Sequence, residues 1–331
     1  MPDAPKPPPF PWTVPPSHAG RMLDGALRER DPSLSWANAR ALVETGKVFR
    51  NGAPCLVPRQ HLRAGDRIEV RPNAPRPREQ RRIGFDDFVY VDRQVAVVRK
   101  PAGVSTVPFD PGERGTLDEM VRLALDRQAR ARGGPAQGWI GVVHRLDKDT
   151  TGLLVFARTL AAKRHLGNQF RAHSVDRRYV ALAHGAVRSQ TIRSRLVADR
   201  GDGLRGSTRL PNAGQEAVTR VEALEPLGPV TLVACRLETG RTHQIRIHLS
   251  EAGHPLVGED VYVRDFRGER VPAPRPMLHA EELGFVHPTT GEPLLFRDDW
   301  PDDFADLAER LRAAGGRGRE SHDARRGRSP R

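Results

Sequence analysis

The chain has only two cysteines, Cys55 and Cys235, in 331 residues. Each sits in an apolar setting. Two such thiols exclude a disulfide framework and a cysteine-built zinc site, and read as buried free thiols. No apolar run approaches the ~20 residues that a membrane-spanning helix needs. The opening Met1-Pro2-Asp3-Ala4-Pro5-Lys6-Pro7 lacks the apolar core of a secretion signal, so a cytoplasmic protein is expected. Regular strand–helix alternation is missing, which argues against a doubly wound parallel sheet, and there is no internal repeat. Acidic residues are in the minority: 54 Lys and Arg stand against 41 Asp and Glu, a formal net charge of +13. That excess predicts a polyanionic partner. Nucleic acid fits better than a membrane surface. The basic residues are scattered through globular-looking sequence, not gathered on one amphipathic helix.

What is present divides into five stretches. Residues 1–17 are proline-rich and expected to be extended, without a fixed fold. Residues 18–71 make a first small domain. Leu23 and Leu27, four apart, predict one helix. Ser35 can cap a second that carries Ala39, Leu42 and Val43 and stops at Gly46. Asn51-Gly52 predicts a tight turn, and residues 65–70 a turn and an alternating strand. Residues 72–82 form a Pro/Arg linker. Residues 83–312 mix strands, at 88–91, 95–98, 153–157, 179–183 and 230–237, with helices. One helix opens at Thr116 with Glu119 completing a capping box, and another covers 160–172. Residues 313–331 are a Gly/Arg-rich tail expected to be disordered. The fold class that follows is α+β: a mixed, mostly antiparallel sheet with flanking helices, plus a small N-terminal α/β domain.

The chemistry concentrates in His144-Arg145-Leu146-Asp147-Lys148-Asp149-Thr150-Thr151-Gly152, a turn leading into the apolar Leu153-Leu154-Val155-Phe156. Cations on either side hold a carboxylate ionised, and an ionised carboxylate can act as a nucleophile. The bland alternative is a surface ion pair worth about 0–1 kcal/mol. Local chemistry does not separate Asp147 from Asp149. A metal held by His144, Asp147 and Asp149 is not expected, because Arg145 and Lys148 would repel a divalent cation.

This stretch resembles the signature of the RluA-type pseudouridine synthases, and three further segments agree with it in order. They are Arg99-Lys100-Pro101-Ala102-Gly103, Arg177-Arg178-Tyr179-Val180-Ala181-Leu182-Ala183-His184-Gly185, and residues 237–249 with Gly253-His254-Pro255-Leu256 and Gly258. The closing Leu278-His279-Ala280 and His287-Pro288 fit too. Residues 18–71 are similar to the small RNA-binding domain named after ribosomal protein S-four, with Trp36 and Arg40 on its second helix.

The resemblance implies a pseudouridine synthase fold and an RNA-modifying isomerase that converts uridine to pseudouridine. The expected substrate is structured RNA, large-subunit ribosomal RNA first and transfer RNA as the alternative. A catalytically inactive RNA-binding protein of the same fold and a base glycosylase are the competing readings. Asp147 is the expected catalytic carboxylate and Arg246 its paired cation, on a helix capped by Thr242. Tyr179 would stack on the base and could help remove the proton from its carbon five. Arg145, Lys100, Arg241 and Gln244 are expected to touch substrate. Histidines 243, 248, 254 and 279 are assigned to capping and packing, not to a metal. The reaction is redox-neutral, so no cofactor is expected, and nothing demands more than a monomer.

Overall fold

The computed structural model describes residues 10–55, 58–74, 83–109, 112–136, 138–210 and 212–326. The chain divides into two units between residues 79 and 80.

The first unit holds β1 (Trp12–Thr13), α1 (Leu23–Arg30), α2 (Trp36–Glu44), β2 (Val48–Arg50), β3 (Ala53–Cys55) and β4 (Arg67–Val70), with sheet order β1-β4-β2-β3. Leu23 and Leu27 share its core with Ala39, Val43, Val48 and Ile68. Ser35 caps α2 by accepting from the Asn38 amide. Asn51 and Gly52 take φ of 52° and 83°, as the two-residue turn between β2 and β3 requires. Residues 10–17, expected to lack a fixed fold, are ordered here. Trp12 pairs with Ile68, and Val14 is buried in the core. The apolar alternation Trp12-x-Val14 outweighs the flanking prolines, which sit where an edge strand tolerates them. Residues 1–9 of that arm and 75–82 of the linker lie outside the described residues.

The second unit carries β5 (Phe88–Val91), β6 (Val95–Lys100), α3 (Leu117–Ala131), β7 (Gly141–Val142), β8 (Thr151–Ala157), α4 (Leu160–Arg171), β9 (Asp176–His184), β10 (Gln190–Val197), β11 (Gly206–Thr208), β12 (Gln215–Leu227), β13 (Val230–Leu237), α5 (Gln244–Glu251), β14 (Leu278–Val286), β15 (Pro293–Arg297) and α6 (Asp302–Arg326). Its strands run β11-β10-β12-β13-β9-β14-β8-β6-β5, with β15 added to β14 and β7 to β8. Among the described residues only the β14–β8 pairing is parallel; the others are antiparallel. The expected mixed, mostly antiparallel sheet with flanking helices is the fold observed.

β8 is buried along its whole length, and its alternating side chains feed two cores. Leu154 and Phe156 meet Leu117, Val121 and Leu125 of α3, which recur every fourth residue on one helix face. Leu153, Val155 and Ala157 meet Ala162 and Leu166 of α4. Gly152, at the start of β8, has φ +110°, and a Cβ there would overlap the backbone of Ala280 on β14. Only glycine lets the two parallel strands approach at that point.

Two local expectations differ. The capping box at Thr116 does not form: its hydroxyl donates to Asp118, and Glu119 accepts from the Gly115 amide at 2.8 Å. The nearer carboxylate captures the hydroxyl. The last helix also continues to Arg326, through most of the segment expected as a tail. Its Ala, Arg and Glu residues are good helix formers, and the glycines interrupt them without a proline to stop the helix.

Candidate active site

The turn between residues 144 and 152 is fixed from beneath by its own carbonyls. The Thr150 amide donates to the Asp147 carbonyl at 3.1 Å. Thr106 clasps Leu146 at both its amide and its carbonyl, at 3.1 and 2.9 Å. Lys100 is buried, and its ammonium donates to the carbonyls of Pro101, Lys148 and Thr150 at 2.7–2.8 Å. Three donors meet three acceptors, which uses the whole capacity of the group. Burial pushes its pKa down to about 7, against the pull of Asp149 and Asp147. Arg275 adds a bond to the Asp149 carbonyl at 3.3 Å.

The Asp147 side chain therefore projects from a rigid turn into a cavity of about 590 Å³. Arg246 and Tyr179 line the same cavity. Arg246 Nη1 lies 3.6 Å from Asp147 Oδ2. Its remaining nitrogens are taken by Glu259, a fully buried carboxylate: Nε donates to Oε2 at 2.7 Å and Nη2 to Oε1 at 2.8 Å. Burial disfavours the Arg246 charge, but the hydrogen bonds and charge of Glu259 outweigh it and raise the pKa further. Glu259 is likewise disfavoured by burial and held ionised by Arg246 and the amides of Val261 and Tyr262. The guanidinium also lies over the Tyr262 ring, 5.3 Å from its centroid. The result is a clamped cation with one edge aimed at Asp147.

Tyr179 is 7% exposed and its hydroxyl has no hydrogen bond among the described residues. Burial pushes the phenol up to about 12, with Arg177 opposing and Asp147 assisting. It keeps its proton at neutral pH. His144, also against the cavity, accepts from the Val155 amide at 3.1 Å and stacks on Phe170. Burial and Arg177 lower its pKa to about 3, so the ring is neutral and turned toward the strand, not presented as a metal ligand.

The structure thus brings Asp147, Tyr179 and Arg246 to one cavity. Arg145 and Arg241 line it too; Arg145 donates to the Thr242 hydroxyl at 2.6 Å and Arg241 to the Glu216 carbonyl at 2.9 Å. Two residues expected to touch substrate are engaged by the protein itself. Lys100 is not at the cavity surface but under the turn, because three buried carbonyls there need a cation. Gln244 touches the cavity, but its amide is consumed by the protein. It donates to the Val218 carbonyl and to Thr219, and accepts from Thr239 and from the Arg241 amide. Thr242 does not cap α5 either. His243 stands at the cap in a left-handed conformation, φ 58°, and bonds the Tyr262 hydroxyl at 2.7 Å. Such a backbone outlier at a cavity wall is held only because its surroundings over-determine it. Glu259, Tyr262 and Arg177 were not singled out for these roles. Gly258 belongs to the third matching block, but the carboxylate after it carries no sequence signal of its buried partner.

Six cationic side chains and a single carboxylate line this cavity. Such a basin, on a mixed sheet, suits a polyanionic partner. Residues 94–251 match the family model described as RNA pseudouridylate synthase. The ribosomal large subunit pseudouridine synthase D of Xanthomonas campestris is 35% identical over 326 residues, covering 93% of this chain and 94% of that protein. The uncharacterized RNA pseudouridine synthase YlyB of Bacillus subtilis is 35% identical over 300 residues, covering 88% of this chain and 95% of that protein. The solved structure of human RNA pseudouridylate synthase domain containing 4 shares the fold, with a TM-score of 0.56 at 22% identity over 69% of this chain and 93% of that one. The chain belongs to the RNA pseudouridylate synthase family. It is an RNA pseudouridine synthase, an isomerase acting on RNA.

Proposed function

We propose that Asp147 is the carboxylate that acts on the sugar of the target uridine, in large-subunit ribosomal RNA. The placement of Asp147 against the clamped Arg246 carries this reading. Breaking the bond between N1 and the sugar carbon leaves positive character on the sugar, which a carboxylate can attack or stabilise. The uracil then turns and its carbon five joins the sugar carbon. The carbon-five proton leaves and N1 gains one, so atoms balance without a redox partner. Tyr179 offers its ring face to the detached base. A phenol with a pKa of about 12 is a hydrogen-bond donor at neutral pH, so the base that removes the carbon-five proton is better sought in Asp147 once it is released from the sugar. Arg145, on the exposed rim, suits the phosphate or the gap left by a flipped nucleotide.

The names of the relatives support ribosomal RNA over transfer RNA as the substrate. Residues 18–71 would add an RNA contact. Trp36 is exposed there with the Arg28 guanidinium 4.6 Å from its ring centroid and that of Arg40 5.8 Å away. No helix among the described residues is long and apolar enough to cross a membrane. A monomer working in the cytoplasm fits this reading. Asp147→Asn tests it. Pseudouridine formation should vanish while RNA binding persists; turnover retained by the variant would move the reaction centre elsewhere.

A further inference from the structure

The cavity that holds Asp147 has a further wall, one face of α4, made of Lys163, Gly167, Phe170 and Arg171. Lys163, Gly167 and Arg171 are spaced four apart, so they stack along one stripe of the helix about 12 Å long. Lys163 lies with its stem against Gly141, where an added Cβ would meet Lys163 Cδ at 2.9 Å. Neither Lys163 nor Arg171 has a carboxylate within ion-pair distance among the described residues. Arg171 only donates to the neighbouring Asn168 side chain.

Gly167 is the odd residue. Glycine is among the poorest helix formers, and α4 holds it in the interior. The protein does not need it there. A Cβ at 167 would meet nothing closer than the tip of Arg171 at 3.6 Å, an ordinary contact, and the backbone does not take a positive φ. A helix that accepts a poor former without a packing reason, on a cavity wall between two unpaired cations, leaves that space for something outside the chain.

We propose that the Lys163–Gly167–Arg171 face is a phosphate subsite, which takes the RNA backbone flanking the target nucleotide against the bare helix at Gly167. The two cations neutralise phosphates on either side of the point of closest approach. The inference rests on the reading of Asp147 as the reaction centre, since the subsite and Asp147 line the same cavity.

The test uses the full-length protein with total RNA from cells that lack it, scoring pseudouridine formed. Gly167→Ala should raise Tm by about 1–3 °C, because alanine is the better helix former and fits. It should also raise KM about ten-fold, with the effect falling on KM more than on kcat, and Gly167→Leu should raise KM further. The Lys163→Ala, Arg171→Ala double variant should flatten the dependence of log kcat/KM on log salt by about 1–1.5, near 0.7 for each phosphate no longer neutralised. A fall of Tm in Gly167→Ala would assign the glycine to packing and overturn the proposal. So would an unchanged KM in both glycine variants, or an unchanged salt slope in the double variant. Turnover retained by Asp147→Asn would instead sink the assignment of the centre and leave these binding readouts standing.

Discussion

Glu259 grips Arg246 at two points inside the protein, and the third nitrogen of the same guanidinium lies 3.6 Å from Asp147. The buried pair fixes the direction of the cation. Without Glu259, Arg246 could rotate away or follow Asp147 into a closer, quenching pair.

Glu259→Gln should therefore cost activity through kcat. It keeps the shape and one acceptor but removes the charge, and a loss of about 10–100-fold is expected. Glu259→Ala leaves a buried guanidinium without its partner and should destabilise the fold by about 3–5 kcal/mol. Single-turnover rates and thermal melts of the two variants separate positioning from folding. Equal kcat in Glu259→Gln and the parent enzyme would remove Glu259 from the mechanism.

The Tyr179 phenol predicts a pH effect on stability. Its pKa is about 12 in the folded protein against an ordinary value near 10. Between those values the unfolded chain gives up a proton that the folded chain keeps, so stability falls as pH rises. The contribution is on the order of 2–3 kcal/mol, complete below pH 10 and gone above pH 12. Tyr179→Phe should flatten the denaturant midpoint over that window relative to the parent. A midpoint that declined equally in both proteins would assign the effect to other groups.

Gly152→Ala should break the junction of β8 and β14. The added methyl meets the Ala280 carbonyl, and φ +110° is strained for any other residue. A loss of about 3 kcal/mol or more is expected, read as a drop in the urea midpoint. A variant melting like the parent would show that the strands can part at no cost.

Trp36→Ala should weaken RNA binding without touching the fold. The ring is half-exposed and lies beside two guanidinium groups. A stacked base is worth about 1–3 kcal/mol, so affinity for total RNA should fall about ten-fold or more, with an unchanged Tm. Unaltered affinity would leave Trp36 with no part in RNA binding.

The turn at 144–152 and the strand after it were legible because a motif and its secondary structure lie in one short run. So was the approach of Asp147, Tyr179 and Arg246, through the family pattern. Three things were not. Lys100 follows a strand and precedes Pro101, and reads as a cation for substrate. Its burial depends on carbonyls at 148 and 150, about fifty positions away, whose direction no side-chain pattern encodes. Glu259 lies thirteen residues from its partner across a loop without periodicity. The hydroxyl of Thr242 fits a helix cap by local rule, yet the Arg145 guanidinium claims it from outside the segment. In each case a tertiary partner outcompetes the local one.

The parallel pairing of β8 with β14 has a consequence for synthesis. Gly152 rests on Ala280, the Thr151 hydroxyl bonds His279 at 3.0 Å, and Arg275 holds the carbonyl at 149. A chain still emerging from the ribosome carries the turn long before it carries these supports. The enzyme should stay inert as a nascent chain, and switch on only after residues 275–280 have cleared the exit tunnel.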